Sequence, residues 1–150
     1  MAGEHGERIR AIVMREEPRL RAISPETAAL ARAPGKWSPA QVLGHLIDSA
    51  ANNHQRFVRG QLVEHLDIPG YAQNEWVEAQ GYAAEPWGDL VGLWASLNAH
   101  LAHVVERIPA AALSHTVTII PSRGEPGRPM SLDALIADYL RHLLHHLEQI

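Results

Sequence analysis

Three long stretches of this chain repeat apolar residues at helical spacing, and two of them open on a serine. The stretch "SPAQVLGHLIDSAANNHQRFVRGQLVEHL" constrains the fold most. Ser38 can cap it, Pro39 stands at the first helical position and Gln41 follows three residues after the cap. That is a capping box with a proline already set to helical φ. In "EPWGDLVGLWASLNAHLAHVVERI", Leu90, Leu93, Trp94, Leu97, Leu101, Val104 and Ile108 share one face. The last stretch, "SLDALIADYLRHLLHHLEQI", starts with Ser131 as a cap. A fourth helix is expected over residues 6–32, interrupted or kinked by Pro18 and Pro25. Four amphipathic segments in 150 residues predict an all-α protein, a four-helix bundle in a single domain spanning residues 1–150.

The connections carry fewer signals. Residues 63–85 read as a long link with one short helix near Glu75 to Gln80. Before the last helix, "TVTII" is β-branched and "PSRGEPGRP" is rich in Pro and Gly. A small hairpin excursion is expected over residues 115–130. Charge narrows the partners. The 13 basic and 17 acidic residues are interleaved, with a formal net charge of −4, so no basic stripe points to nucleic acid. No apolar run approaches the roughly 18 residues of a membrane span. The charged start "MAGEHGERIR" does not read as a signal peptide, which makes the cytoplasm the expected location. The absence of cysteine excludes disulfides, thiolate metal sites and a cysteine nucleophile.

Histidine, by contrast, occurs 10 times. On a helical wheel of the last stretch, Leu132, Leu135, Ile136, Tyr139, Leu140, Leu143, Leu147 and Ile150 form an apolar arc. His146 falls inside that arc, His142 on its edge and His145 outside it. An i, i+4 histidine pair can place two imidazoles on one ion; it can equally be a pair of half-buried histidines bonded to neighbours. A third ligand must come from elsewhere. In the stretch from Ser38, Leu43, Leu46, Ile47, Ala50, Ala51, Phe57 and Val58 form the apolar arc, and His54 lies within it. His45 lies on a polar stripe with Asp48, Ser49, Asn52 and Arg56, which is either a solvated face or the wall of a polar pocket. Periodicity does not choose between His45 and His54, and His100 is a further candidate partner for the last-helix pair. His5, His65 and His115 fall in the tail or connections and are expected at the surface.

The segments "KWSPAQVLGHLIDSAANNHQRF" and "SLDALIADYLRHLLHHLEQI", in that order, resemble the DinB-like superfamily and in particular its YfiT-type branch of metal-dependent enzymes. "GYAQNEWVEAQ" resembles the Tyr…Trp link after the second helix of that branch, and "TVTIIPSRG…MSLDAL" its hairpin before the last helix. The resemblance covers residues 36–150. It implies a four-helix bundle of up-down-down-up topology, with His45, His142 and His146 as ligands of one divalent metal, usually nickel or zinc. It also implies either a thiol-dependent S-transferase or isomerase using a low-molecular-weight thiol, or a hydrolase, acting on a small molecule. Homodimers are common among such relatives.

Three imidazoles suit Zn, Ni, Fe or Co rather than Mg or Ca, and three protein ligands leave positions open for water or substrate. The polar stripe then supplies candidate catalytic residues. Arg56 is expected to hold an anionic substrate or cofactor carboxylate, Asn52 to orient water or substrate, and Asp48 to support a ligand imidazole. Trp37, Trp76, Trp87 and Trp94 are expected to pack. The competing reading is a non-catalytic bundle that binds a metal or ligand without turnover.

Overall fold

The structure, a computed structural model, describes residues 1–150. Its four long helices are α1 (Ala2–Arg21), α3 (Pro39–Leu62), α5 (Trp87–Glu106) and α6 (Leu132–Leu147); α2 (Pro25–Ala28) and α4 (Gln73–Gln80) are short. Local chemistry explains the boundaries. Ser38 Oγ accepts the Gln41 backbone N–H at 3.3 Å, and the Ser38 N–H donates to Gln41 Oε1 at 3.0 Å, so the capping box forms. Ser131 Oγ accepts the Ala134 N–H at 3.1 Å at the start of α6. Pro25 breaks the expected first helix by opening α2 behind the Ser24 cap. Pro18 does not break it. It sits in the last turn of α1, where only one residual turn depends on it.

α1 packs on α5, α5 on α3, α3 on α6, and α6 closes back on α1. The directions run up-down-down-up. One continuous core fills the bundle, with Trp94, Phe57, Ile9, Leu20, Leu43, Leu90, Leu101, Ile136, Leu140 and Leu143 fully buried. Each such side chain contributes roughly 1.5–3 kcal/mol of burial energy. α5 is rotated slightly from its expected face: Leu93 is exposed, while Val91 and Asn98 turn inward.

The link regions depart from expectation. The expected hairpin is present as β2 (Thr116–Ile120) and β3 (Arg128–Ser131), antiparallel. A third strand, β1 (His65–Pro69), pairs in parallel with β2, with Leu66 opposite Val117 and Ile68 opposite Ile119. β1 follows α3 and β2 follows the short 3₁₀ turn after α5. Two helices running the same way thus feed two strands running the same way. α3 therefore ends at Leu62, where Val63 is already extended. The last residues of the quoted stretch belong to a strand whose Leu66 and Ile68 alternate inward. No helix is long and apolar enough to cross a membrane.

Candidate metal centre

The N-terminal half of α3 is enclosed on nearly every side. Its apolar side faces the bundle, and α6 covers part of its polar side. The rest is covered by the chain after α4. There the Tyr82 ring lies so close to Gly44 that an added Cβ would come within 2.1 Å of it. Only a glycine allows that approach. Beyond Gly44 the Tyr82 hydroxyl donates to Asp48 Oδ1 at 2.7 Å, and Gln80 Nε2 donates to the same oxygen at 2.8 Å. The polar stripe is thus an interior wall, not a solvated face. His45 is 1% exposed and Asp48 2%.

His45 meets the α6 pair within this enclosure. One ligand nitrogen from each of His45, His142 and His146 lies within 4.8 Å of the others. His45 Nε2 and His142 Nε2 are 3.1 Å apart. The ring centroids of His45 and His146 are 4.6 Å apart, and those of His142 and His146 4.4 Å. Trp37 closes another side, its ring centroid 5.1 Å from that of His45. The outer nitrogens are partly fixed. His146 Nδ1 donates to Gln149 Oε1 at 2.9 Å, which leaves its Nε2 lone pair free. His142 Nδ1 lies 3.5 Å from Ser49 Oγ.

Burial first, then the mutual repulsion of the three imidazoles, pushes the pKa of His45 down from 6.5 to about 4. His142 is also pushed down to about 4, by burial and then by His146, with Asp138 opposing. Both rings are therefore neutral at pH 7, the form that binds a metal. Two nitrogens each about 2.0–2.1 Å from a shared ion, at bond angles between tetrahedral and octahedral, stand about 2.8–3.4 Å apart. The His45–His142 separation falls in that range. By donor chemistry and spacing the three residues fit a divalent transition metal.

Of the remaining histidines, His145 adjoins the cluster without joining it, its ring centroid 5.1 Å from that of His146, and the others lie apart. His145 is exposed on α6, and His65 on β1. His54 is half-buried against His100, their ring centroids 5.3 Å apart, and His100 stacks near His103 on the outside of α5. His100 does not approach the α6 pair. Two histidines expected at the surface are partly covered instead. His5 Nε2 is 3.1 Å from Asp133, and His115 Nδ1 donates to the Gly60 carbonyl at 2.8 Å.

The other named residues take varied places. Asp48 hydrogen-bonds Tyr82 and Gln80 and no imidazole, and its Oδ2 and His45 Nδ1 are both buried without a partner. Burial raises the Asp48 pKa, against the two hydrogen bonds it accepts. Asn52 turns back to donate to the Asp48 carbonyl at 2.8 Å. Its neighbour Asn53 lines the inner cavity instead, donating to the Ser49 carbonyl at 2.8 Å. Arg56 is 8% exposed and lines the same cavity. Trp87 and Trp94 are buried, Trp37 is half-buried and Trp76 is exposed. Sequence reasoning assigned no role to Asn53, Tyr71 or Tyr82. A glycine beside His45 was the available signal that a ring packs over that stripe.

A bundle with two long crossings, holding three converging histidines between its second and last long helices, defines the class. The chain belongs to the DinB superfamily, whose family model matches residues 10–150. It is 29% identical over 116 residues to a Geobacillus kaustophilus (strain HTA426) protein named "Putative metal-dependent hydrolase GK0616". That match covers 77% of this chain and 63% of the relative, so the chain spans somewhat less than two thirds of its relative's length. Its fold is similar to that of YfiT from Bacillus subtilis, described as "a probable metal-dependent hydrolase with an unusual four-helix bundle topology". The TM-score is 0.83 at 17% identity, over 97% of this chain and 81% of that one. It is also similar to a mycothiol-dependent maleylpyruvate isomerase, with a TM-score of 0.75 at 15% identity, over 98% of this chain and 59% of that one. At these identities both structures speak for the fold alone.

Proposed function

We propose that this chain is a metal-dependent enzyme acting on a small molecule, with His45, His142 and His146 holding one divalent transition metal, nickel or zinc. The observation that carries the proposal is the convergence of three imidazoles from two helices, His45 and His142 held neutral by burial, with His142 also lining a cavity of about 390 Å³. When bound, such an ion supplies Lewis acidity that polarises a carbonyl or makes a water or thiol nucleophilic near neutral pH. The chain's own residues do the rest. Gln149 fixes the His146 tautomer, while Trp37 packs against the His45 ring and Tyr82 covers Gly44 beside it. Ser49, Asn53 and Tyr139 give the cavity wall a neutral polar lining.

The reaction is hydrolysis or transfer to a low-molecular-weight thiol. The names of the Geobacillus relative and of YfiT favour the first. The mycothiol dependence of the second structural neighbour favours the second. The test is a panel of activated esters, amides and electrophilic alkenes, offered to the nickel- or zinc-loaded chain with and without small thiols. Turnover lost on chelation, and lost in His142→Ala with the fold intact, supports the proposal. Turnover at the parent rate in His142→Ala refutes it. Chelation that unfolds the chain, with no turnover in any condition, would favour a structural ion in a non-catalytic bundle.

A further inference from the structure

We infer that Arg56 is a carboxylate-binding residue, taking the anionic end of the substrate in the cavity that reaches from Arg56 to His142. This deepens the proposed function and rests on it only for where the reacting end of the substrate lies.

The charge of Arg56 is buried without an ion-pairing partner. It is 8% exposed, and no carboxylate lies within ion-pairing distance of it. Its one hydrogen bond, from Nη1 to Asn53 Oδ1, is at the 3.5 Å limit. A guanidinium carries five N–H donors and stays charged in any protein setting. Burial lowers its pKa, yet from a starting point too high for the charge to be lost. Removing such an ion from water is costly unless a partner replaces the water. Six of the chain's other arginines hydrogen-bond to carboxylates or backbone carbonyls: Arg10, Arg15, Arg19, Arg21, Arg32 and Arg141. Arg56 is more buried than any of them and has neither kind of partner.

The cavity supplies a place for the missing anion. Among its lining residues Asp138 is the only acid, and Asp138 is already paired with Arg141. The Arg56 wall also presents Tyr71 and Asn53. Burial pushes the Tyr71 hydroxyl up to about 12, so it remains a protonated donor at neutral pH. Ile119, Met130 and Leu135 line the cavity with apolar surface. A divalent ion on three neutral histidines would add uncompensated positive charge at the His142 end. Anion-binding donor, walls that are part apolar and part neutral polar, and a metal-facing end together describe a small carboxylate with a compact, partly apolar body. A planar fork of N–H donors suits a carboxylate in two-point contact. Eleven residues separate His45 from Arg56, roughly 16 Å along the helix at 1.5 Å per residue. The arginine side chain leans back toward the helix start and shortens that gap. A single-atom or one-carbon anion would not reach both ends.

The experiment uses the full chain, metal-free and metal-loaded, with benzoate and phenylacetate as probes and benzamide and phenylacetamide as uncharged matches. Calorimetry or NMR titration reads the affinities, and metal content is measured on the same samples. The carboxylates should bind about tenfold to a hundredfold more tightly than the amides, as expected for charge-assisted hydrogen bonds. That preference should persist without metal. R56Q should lose it while keeping the parent's metal content, and R56K should keep part of it, having the charge without the fork. Equal preference in R56Q and the parent would overturn the inference. So would a preference that disappears on chelation, which would place the carboxylate on the ion. If R56Q does not fold, the metal-free parent decides: no preference for benzoate over benzamide overturns the inference, and a clear preference supports it. A chain that binds no metal but prefers carboxylates through Arg56 would refute the metal reading and leave this one standing.

Discussion

The molecule carries two groups of three histidines, and they differ in what surrounds them. His45, His142 and His146 meet behind Trp37 and beside the segment containing Tyr82, where burial keeps His45 and His142 neutral. His54, His100 and His103 stack along the outside of α3 and α5, with His100 and His103 exposed. Both groups have rings within stacking range, and only the first brings a nitrogen from each ring into one small volume. Ring proximity alone is therefore a poor guide to a metal site. Convergence of lone pairs in an enclosure that holds them deprotonated is the better criterion.

The enclosure can be attacked directly at Gly44. Gly44→Ala drives a methyl group into the Tyr82 ring and should cost about 3 kcal/mol of stability, read by urea unfolding. A loss below about 0.5 kcal/mol would mean that the cover yields easily and does not define the site.

Acid should separate the two groups next. The folded chain holds His45 and His142 near pKa 4, whereas the unfolded chain protonates them near 6.5. Protons therefore favour the unfolded state. Stability of the metal-free chain should be full above about pH 6.5 and should fall as pH drops toward about 4. A His45→Gln/His142→Gln double variant should lose less over the same window. An equal loss in parent and variant would assign the acid sensitivity to other groups.

A smaller effect is expected at Tyr82→Phe. Removing the hydroxyl leaves Asp48 Oδ1 with Gln80 alone, beside an Oδ2 that already lacks a partner. The expected cost is about 1–2 kcal/mol, measured by thermal unfolding at neutral pH. At the outer group, His100→Ala should change stability by less than about 0.5 kcal/mol, as for other exposed positions. A larger change would show that the outer stack is itself structural.

Much of this was legible in the sequence, for local reasons. Ser38, Pro39 and Gln41 announce a helix start through contacts three residues apart, and the wheel of the last helix separates His142 and His146 from His145. What was not legible depends on contacts distant in sequence. The stripe bearing His45 and Arg56 reads as polar because it is polar; only contacts distant in sequence, from α6 and from the return of residues 80–82 over Gly44, make it interior. β1 went unseen because its partner lies about fifty residues further on and the two strands run parallel, so no tight turn marks the pairing. Asn52 and Asn53 are adjacent, and a wheel cannot say which of them a cavity wall will expose.

We propose that the inner group, and not the outer one, binds the ion. Metal analysis of the chain loaded with excess nickel or zinc and then desalted tests it most directly. About one ion per chain is expected in the parent and in a His54→Ala/His100→Ala/His103→Ala variant, and none in His45→Ala/His142→Ala/His146→Ala. Full metal retention in the second triple variant, or loss in the first, would contradict it.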